Sequence, residues 1–307
     1  MSGRFVPRRA RASSRELTGS LLSVLMGVLF AFVVILGKGL LGGRPPFTLL
    51  FLRFAITAVI LGGVLLATRR PLMPEPGERV GLIVAATLGY GTESALYFSA
   101  LNHGTAAAVT LLFYTYPVWV MLASIALDRR VPAGRLVAAL VMAIAGAAVV
   151  VVAGSGVDVA AAGIVLALAC AFAYTGYLIG VDRVVHRTNP LTTATWLAAG
   201  AALANLVFAV AFRAWSMPTG AQAGLRVFGM GAFTAGAFVC MIASLQRIGA
   251  VRNAIIGVLE PLTVAVLAAV LLDESLTVAT VVGGTLILSA AVIATLARGR
   301  RVVEPDL

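Results

Sequence analysis

Residues 253–272 read NAIIGVLEPLTVAVLAAVLL, twenty residues with one carboxylate (Glu260), one proline (Pro261) and otherwise apolar or small uncharged side chains. A helix needs roughly 20 residues to cross a bilayer, and only helices or closed barrels satisfy their backbone there. Residues 105–127, TAAAVTLLFYTYPVWVMLASIAL, repeat the design, with Pro117 in the place of Pro261. A carboxylate and two prolines in apolar runs of this length point to a protein whose solvent is lipid.

Working outward, hydropathy places ten such runs near 17–37, 46–68, 80–101, 105–127, 136–153, 159–181, 191–212, 227–245, 253–272 and 276–297. The chain is 61% hydrophobic and 11% charged, with a mean hydropathy of +1.03. A soluble core could not hide that composition beneath a polar surface. Pro45, Pro46, Pro71, Pro74, Pro76, Pro132, Pro190 and Pro218 fall in the connections, where a lost amide does least harm. The expected fold is an all-α polytopic membrane protein with ten transmembrane helices. It divides into a basic tail over 1–16, five spans over 17–153, five over 159–297 and a tail over 298–307.

The net charge of +11 comes from arginines scattered through short loops, which reads as membrane topology and excludes a nucleic-acid patch. With the amino terminus in the cytoplasm, eighteen of the 23 cations fall on the inner face. Lys38, Arg44, Arg213 and Arg226 remain outside and Arg53 lies within a span, so the bias places both termini in the cytoplasm. The Arg8-Arg9 pair could open a secretion signal, but the following apolar run is long enough to span and lacks a clear cleavage site. Cys170 and Cys240 fall inside spans, where thiols stay protonated, and His103 and His186 fall near opposite faces. Neither a disulfide nor a metal centre is expected, and no cofactor is implied.

The two halves are related. At a shift of 144, Ala106 aligns with Ala250, Pro117 with Pro261 and Val120 with Val264; one residue later Leu127-Asp128 meets Leu272-Asp273. Each unit holds five spans, an odd number, so the second copy enters from the opposite side and the repeats are inverted. Two such units can exchange conformations and expose a site between them to each face in turn, which is the architecture of a carrier.

Ten spans in two halves, Phe51-Leu52-Arg53-Phe54, Ala95-Leu96-Tyr97-Phe98, and Leu259-Glu260-Pro261-Leu262 followed by Leu271-Leu272-Asp273-Glu274 resemble the drug/metabolite transporter superfamily, EamA-like branch. The resemblance covers roughly residues 17–297. It implies an inner-membrane permease, usually an exporter of amino acids or other small metabolites, with a central cavity between the halves. The family's glutamate after helix nine is present as Glu274, while its counterpart after helix four is Arg129, so the first-half position has lost any paired role.

Ionisable side chains within spans cost some +2.5 to 3.5 kcal/mol on insertion scales and are functional candidates by default. Arg53, Glu93 and Glu260 qualify. At 1.5 Å per residue, Arg53 lies about 10 Å and Glu93 about 12 Å below the outer end. They either form a structural ion pair or leave Glu93 facing the cavity to take a proton or a substrate amine. Glu260, about 10 Å above the inner end, falls in the other leaflet. It reads as a carboxylate satisfied by neighbouring hydroxyls or helix ends, with a cation contact as the alternative.

Pro117 and Pro261 free the carbonyls of Phe113 and Gly257, and their symmetry makes them hinge candidates lining a shared cavity. Phe113, Tyr114, Tyr116 and Trp119 cluster at mid-span, where an interfacial aromatic belt does not explain them. With Tyr90, Tyr97, Tyr174, Tyr177 and Trp196 they are candidates to line a ligand cavity, core packing being the alternative. Small residues at four-residue spacing, Ala139, Ala143 and Ala147 with Ala279 and Gly283, read as packing.

An enzyme would need a nucleophile with a base, a metal cluster or paired acids at one depth, and the spans place none together. There is no phosphate-binding loop motif. The expected protein is a secondary transporter in the plasma membrane, a monomer or homodimer, whose partners are a small-molecule substrate, the lipid bilayer and protons. A multidrug or lipid-intermediate exporter is the alternative.

Overall fold

A computed structural model describes residues 8–37, 40, 45–103, 109, 112–128, 132–155, 160–271 and 278–296. Among these the secondary structure is helical throughout, as a lipid-embedded backbone requires. The helices are α1 (Arg8–Gly37), α2 (Phe47–Ala67), α3 (Arg79–Val84), α4 (Thr92–Ala100), α5 (Tyr116–Asp128), α6 (Gly134–Ser155), α7 (Ala161–Val184), α8 (Pro190–Ala211), α9 (Ala221–Gly257), α10 (Leu259–Leu271) and α11 (Val278–Leu296). A π-helical turn, Ala85–Gly91, joins α3 to α4, so the third expected span is one continuous rod with a widened centre. Five helical segments are by themselves long and apolar enough to cross a membrane: Ser14–Gly37 of α1, α2, α7, α8 and α9.

Helix α1 starts at Arg8, well before the expected first span, because the basic leader of arginine and alanine favours helix and simply extends it beyond the apolar run. A larger difference lies at residues 246–252, expected as a loop. There the connection is reduced to a break at Gly249, whose φ of 75° and ψ of 170° are not helical and are open chiefly to glycine, so α9 is two helical stretches, one ending before Gly249 and one running on to Gly257. Ala106, Arg129, Asp273 and Glu274 lie outside the described residues.

Packing repeats between the halves. Helix α1 packs on α9 and α10 as α7 packs on α4 and α5, while α2 pairs with α8 and α6 with α11 across the repeat. The shift of 144 recurs in hydrogen bonds. Thr192 Oγ1 donates to Pro71 O at 2.7 Å, and Thr48 Oγ1, 144 residues earlier, donates to Ala214 O at 3.2 Å. Between α6 and α11 the backbones come so close that a Cβ on Gly146 would stand 2.6 Å from Gly283 O, so the small residues here serve contact within the chain.

At the end of α2 the chain folds back over the start of α8. Asn189 caps α8 by accepting from the Leu191 amide at 2.9 Å, with Pro190 in the first turn. The same loop is held by Glu78, whose Oε1 accepts from the amides of His186 and Arg187 at 2.8 and 2.7 Å and whose Oε2 accepts from Thr188 at 2.9 Å. Burial raises the Glu78 pKa, but bonds from Thr188, Arg187 and His186 outweigh it and hold the group below its ordinary 4.5. A lowered carboxylate contributes stability that is full above pH 4.5 and lost as pH falls through the folded pKa. Glu78→Ala is expected to destabilise by about 2 kcal/mol, by stranding the buried Thr188 amide and freeing the partly buried amides of His186 and Arg187. Thermal denaturation in detergent should show that loss at neutral pH, and acid sensitivity below pH 5 should be smaller in the variant than in the parent.

Candidate functional site

The two proline positions break their helices alike. Before Pro117 the chain makes a tight turn at Tyr114–Thr115, with the Val118 amide donating to Thr115 O at 3.0 Å. Before Pro261 the turn is at Val258, 144 residues after Tyr114, with the Val258 amide donating to Ile255 O at 3.3 Å. That bond leaves Ala254 O without its usual partner four residues on. Tyr116 supplies one from the other half, its hydroxyl donating to Ala254 O at 3.3 Å. The two breaks therefore meet, and one satisfies the other.

Beside them lies a cavity of about 70 Å³. Arg53 of α2, Glu93 of α4 and Glu260 of α10 all line it, so both repeats contribute charge. The sequence placed the two glutamates in different leaflets, yet both line this one cavity. Their expected depths differ by only about 8 Å in a core of about 30 Å, a gap that two long side chains aimed at one cavity close. Glu260 lines the cavity from the first turn of α10. The guanidinium acts electrostatically on both carboxylates, and the carboxylates act on each other.

Arg53 is held firmly. Its Nε donates to Thr234 Oγ1 at 2.8 Å, and its Cζ lies 4.8 Å from the centre of the Phe54 ring. Thr234 in turn donates to Met230 O at 2.6 Å, which fixes its lone pairs toward Arg53. The side chain of Arg53 is thus anchored to α9 through Nε, with the Tyr90 hydroxyl as a further hydrogen-bond partner, and it lines the cavity. Glu93 accepts from the Cys170 thiol on Oε1 at 3.6 Å.

Of the aromatic candidates, Tyr90, Tyr97, Phe113, Tyr114, Tyr116 and Tyr174 form the wall. They are braced edge to face, Tyr116 against Tyr174 at 4.8 Å and Phe113 against Tyr97 at 5.3 Å. Three candidates stand elsewhere. Tyr177 sits behind Tyr90 at 5.1 Å, Trp119 stacks on Phe172 and donates to Thr115 Oγ1, and Trp196 donates to Leu72 O at 2.9 Å. Tyr174 and Tyr177 lie three residues apart on one face of α7 and stack at 5.7 Å, with Tyr174 in the lining and Tyr177 set back from it. Sequence reasoning missed Met26, Phe30, Val33 and Val34 of α1, along with Ser94, Phe98 and the anchor Thr234. Apolar lining residues carry no signal that separates them from lipid-facing ones.

Beneath the cavity the start of α1 is sealed to α9. Ser244 Oγ donates to Gly19 O at 2.8 Å, and Asn253 Nδ2 donates to Ser244 Oγ at 3.0 Å and to Ser23 Oγ at 3.3 Å. Arg252 pairs with Glu16 at 3.5 Å, and Arg15 donates to Gln246 O at 3.0 Å. The seal is polar, with Ser23, Ser244, Arg252 and Asn253 buried and Arg15 at its exposed edge.

Comparison with known proteins agrees with this arrangement. The EamA-like transporter family matches the chain twice, over residues 17–152 and 161–296. The chain is 27% identical over 255 residues to the uncharacterized transporter YcbK of Bacillus subtilis (strain 168), covering 79% of this chain and 81% of that one. A solved crystal structure superposes with a TM-score of 0.78 at 25% identity, covering 92% of this chain and 97% of the other. The match to both halves, on a helical frame with a charged cavity between them, makes this chain a membrane transporter that belongs to the EamA-like transporter family.

Proposed function

We propose that the protein is a secondary transporter of the plasma membrane that exports amino acids or similar small metabolites by alternating access, in exchange for protons. Ten helical passages form two inverted five-helix units, over 17–153 and 159–297, with both termini in the cytoplasm. One observation carries the reading: a guanidinium and two carboxylates from both repeats face one tyrosine-walled cavity. Charges at membrane depth persist where they serve a substrate or ion pathway. The meeting of the Pro117 and Pro261 breaks at this cavity supports their role as bending points. The seal of α1 on α9 supports a conformation closed on the cytoplasmic side.

A multidrug or lipid-intermediate exporter is the second reading, favoured by the apolar part of the lining, Phe30, Val33 and Phe98. Flux of labelled amino acids and of amphipathic drugs into proteoliposomes, with and without an imposed pH gradient, separates the two. Saturable amino-acid flux accelerated by the gradient is expected. Saturable movement of the drugs alone would replace the first reading with the second.

A further inference from the structure

Resting on the amino-acid reading, the geometry points to a narrower substrate class: the cavity is the charge complement of a dibasic amino acid, which it exchanges for one proton. The cavity presents two carboxylates, Glu93 and Glu260, and one guanidinium, Arg53. A dibasic amino acid such as lysine, ornithine or arginine carries the inverse set, two cationic groups and one carboxylate. Between them runs an apolar stem, and the cavity offers that stem the rings of Tyr90, Tyr116 and Tyr174.

The position of each charge favours this match. Arg53 is held through Nε by Thr234 and lines the cavity beside Tyr90, where its guanidinium can meet a carboxylate, a group it grips with two parallel hydrogen bonds. Glu93 and Glu260 come from α4 and α10 in different repeats and at different expected depths, so they can reach the two ends of an extended substrate. Tyrosine faces around them add attraction for ammonium or guanidinium groups. The other titratable groups around the cavity are Tyr90, Tyr97, Tyr114, Tyr116 and Tyr174, with Cys170 against Glu93; all are neutral hydroxyls or a thiol that do not alter the count.

The charge count also sets the coupling. With both glutamates ionised the empty site carries one unbalanced negative charge, which is expensive in an apolar interior. A single proton on either carboxylate removes it. When a substrate of net charge +1 enters, that proton leaves to water on the open side and the site is neutral again. Both loaded forms are neutral, so the exchange moves one proton one way and one positive charge the other. Transport is then driven by the pH gradient and unmoved by membrane potential. A zwitterionic amino acid would leave the proton in place and drive no exchange.

The test uses purified full-length protein. Binding of lysine, ornithine, glutamine, phenylalanine and glutamate is measured by calorimetry in detergent, and flux of the same set is followed in proteoliposomes clamped with potassium and valinomycin. Lysine or ornithine should bind at least tenfold more tightly than glutamine, release about one proton on binding and give flux independent of the clamped potential. In Glu260→Gln the preference should invert, glutamine binding as well as or better than lysine. Saturable flux of neutral amino acids with lysine ignored would overturn the charge match and leave the amino-acid transporter standing. Absence of flux and binding for all five would overturn both. Potential-driven lysine flux would overturn the one-proton exchange.

Discussion

Glu93→Gln is expected to abolish proton-coupled exchange while leaving a folded, monodisperse protein. The substitution keeps shape and removes one charge from a cavity in which Arg53 and Glu260 remain. The residual pair is already neutral, so the site has no proton to give up when substrate arrives. Loss of one close charge partner for an ammonium group costs about 2 to 3 kcal/mol, which is a fall in substrate affinity of roughly 30- to 150-fold. Two measurements check it. Equilibrium binding should weaken by that factor, and its dependence on pH, in which protons compete with substrate in the parent, should flatten. Flux unchanged in size and in its response to the pH gradient would remove Glu93 from the mechanism.

Arg53→Gln is expected to damage recognition of the substrate carboxylate and nothing else of similar size. The guanidinium is anchored by Thr234 and the Phe54 ring, so its loss removes a prearranged donor and leaves the two glutamates facing each other without their counter-ion. Lysine binding should fall by roughly 30- to 1,000-fold, the range for truncating one partner of a buried charge pair. Cadaverine, which is lysine without its carboxylate, should bind the variant at least as well as the parent. A uniform loss for both ligands would instead mean that Arg53 serves the packing of α2 on α9. Arg53→Lys should recover little, because an ammonium group cannot form the two parallel bonds of a guanidinium.

Several elements were legible in the chain because bilayer physics leaves few alternatives. The apolar runs, the proline punctuation and the pairing of Pro117 with Pro261 all correspond to features of the structure. Arg53, Glu93 and Glu260 stood out because charge is rare in apolar helices. Their relation did not. An Arg53–Glu93 ion pair and a cavity role for Glu93 were both open from helix depth, and the anchor of Arg53 is Thr234, a hydroxyl in a distant span with no pattern to mark it. Trp196 shows the opposite error. As a large aromatic in a span it resembled a ligand contact, yet its indole donates to Leu72 O in a connecting loop.

Periodicity, length and composition alone determined a helical protein in lipid with a duplicated body, because each depends only on which residues follow one another along the chain. Which carboxylates share a cavity, which tyrosines wall it and which helix anchors the guanidinium were decided by tertiary structure. Those facts depend on the rotation of each helix about its axis and on contacts between residues far apart in the chain, 181 positions for Arg53 and Thr234. In a sequence where nearly every face of every helix is apolar, no hydrophobic stripe reports that rotation, and only the packed bundle reveals it.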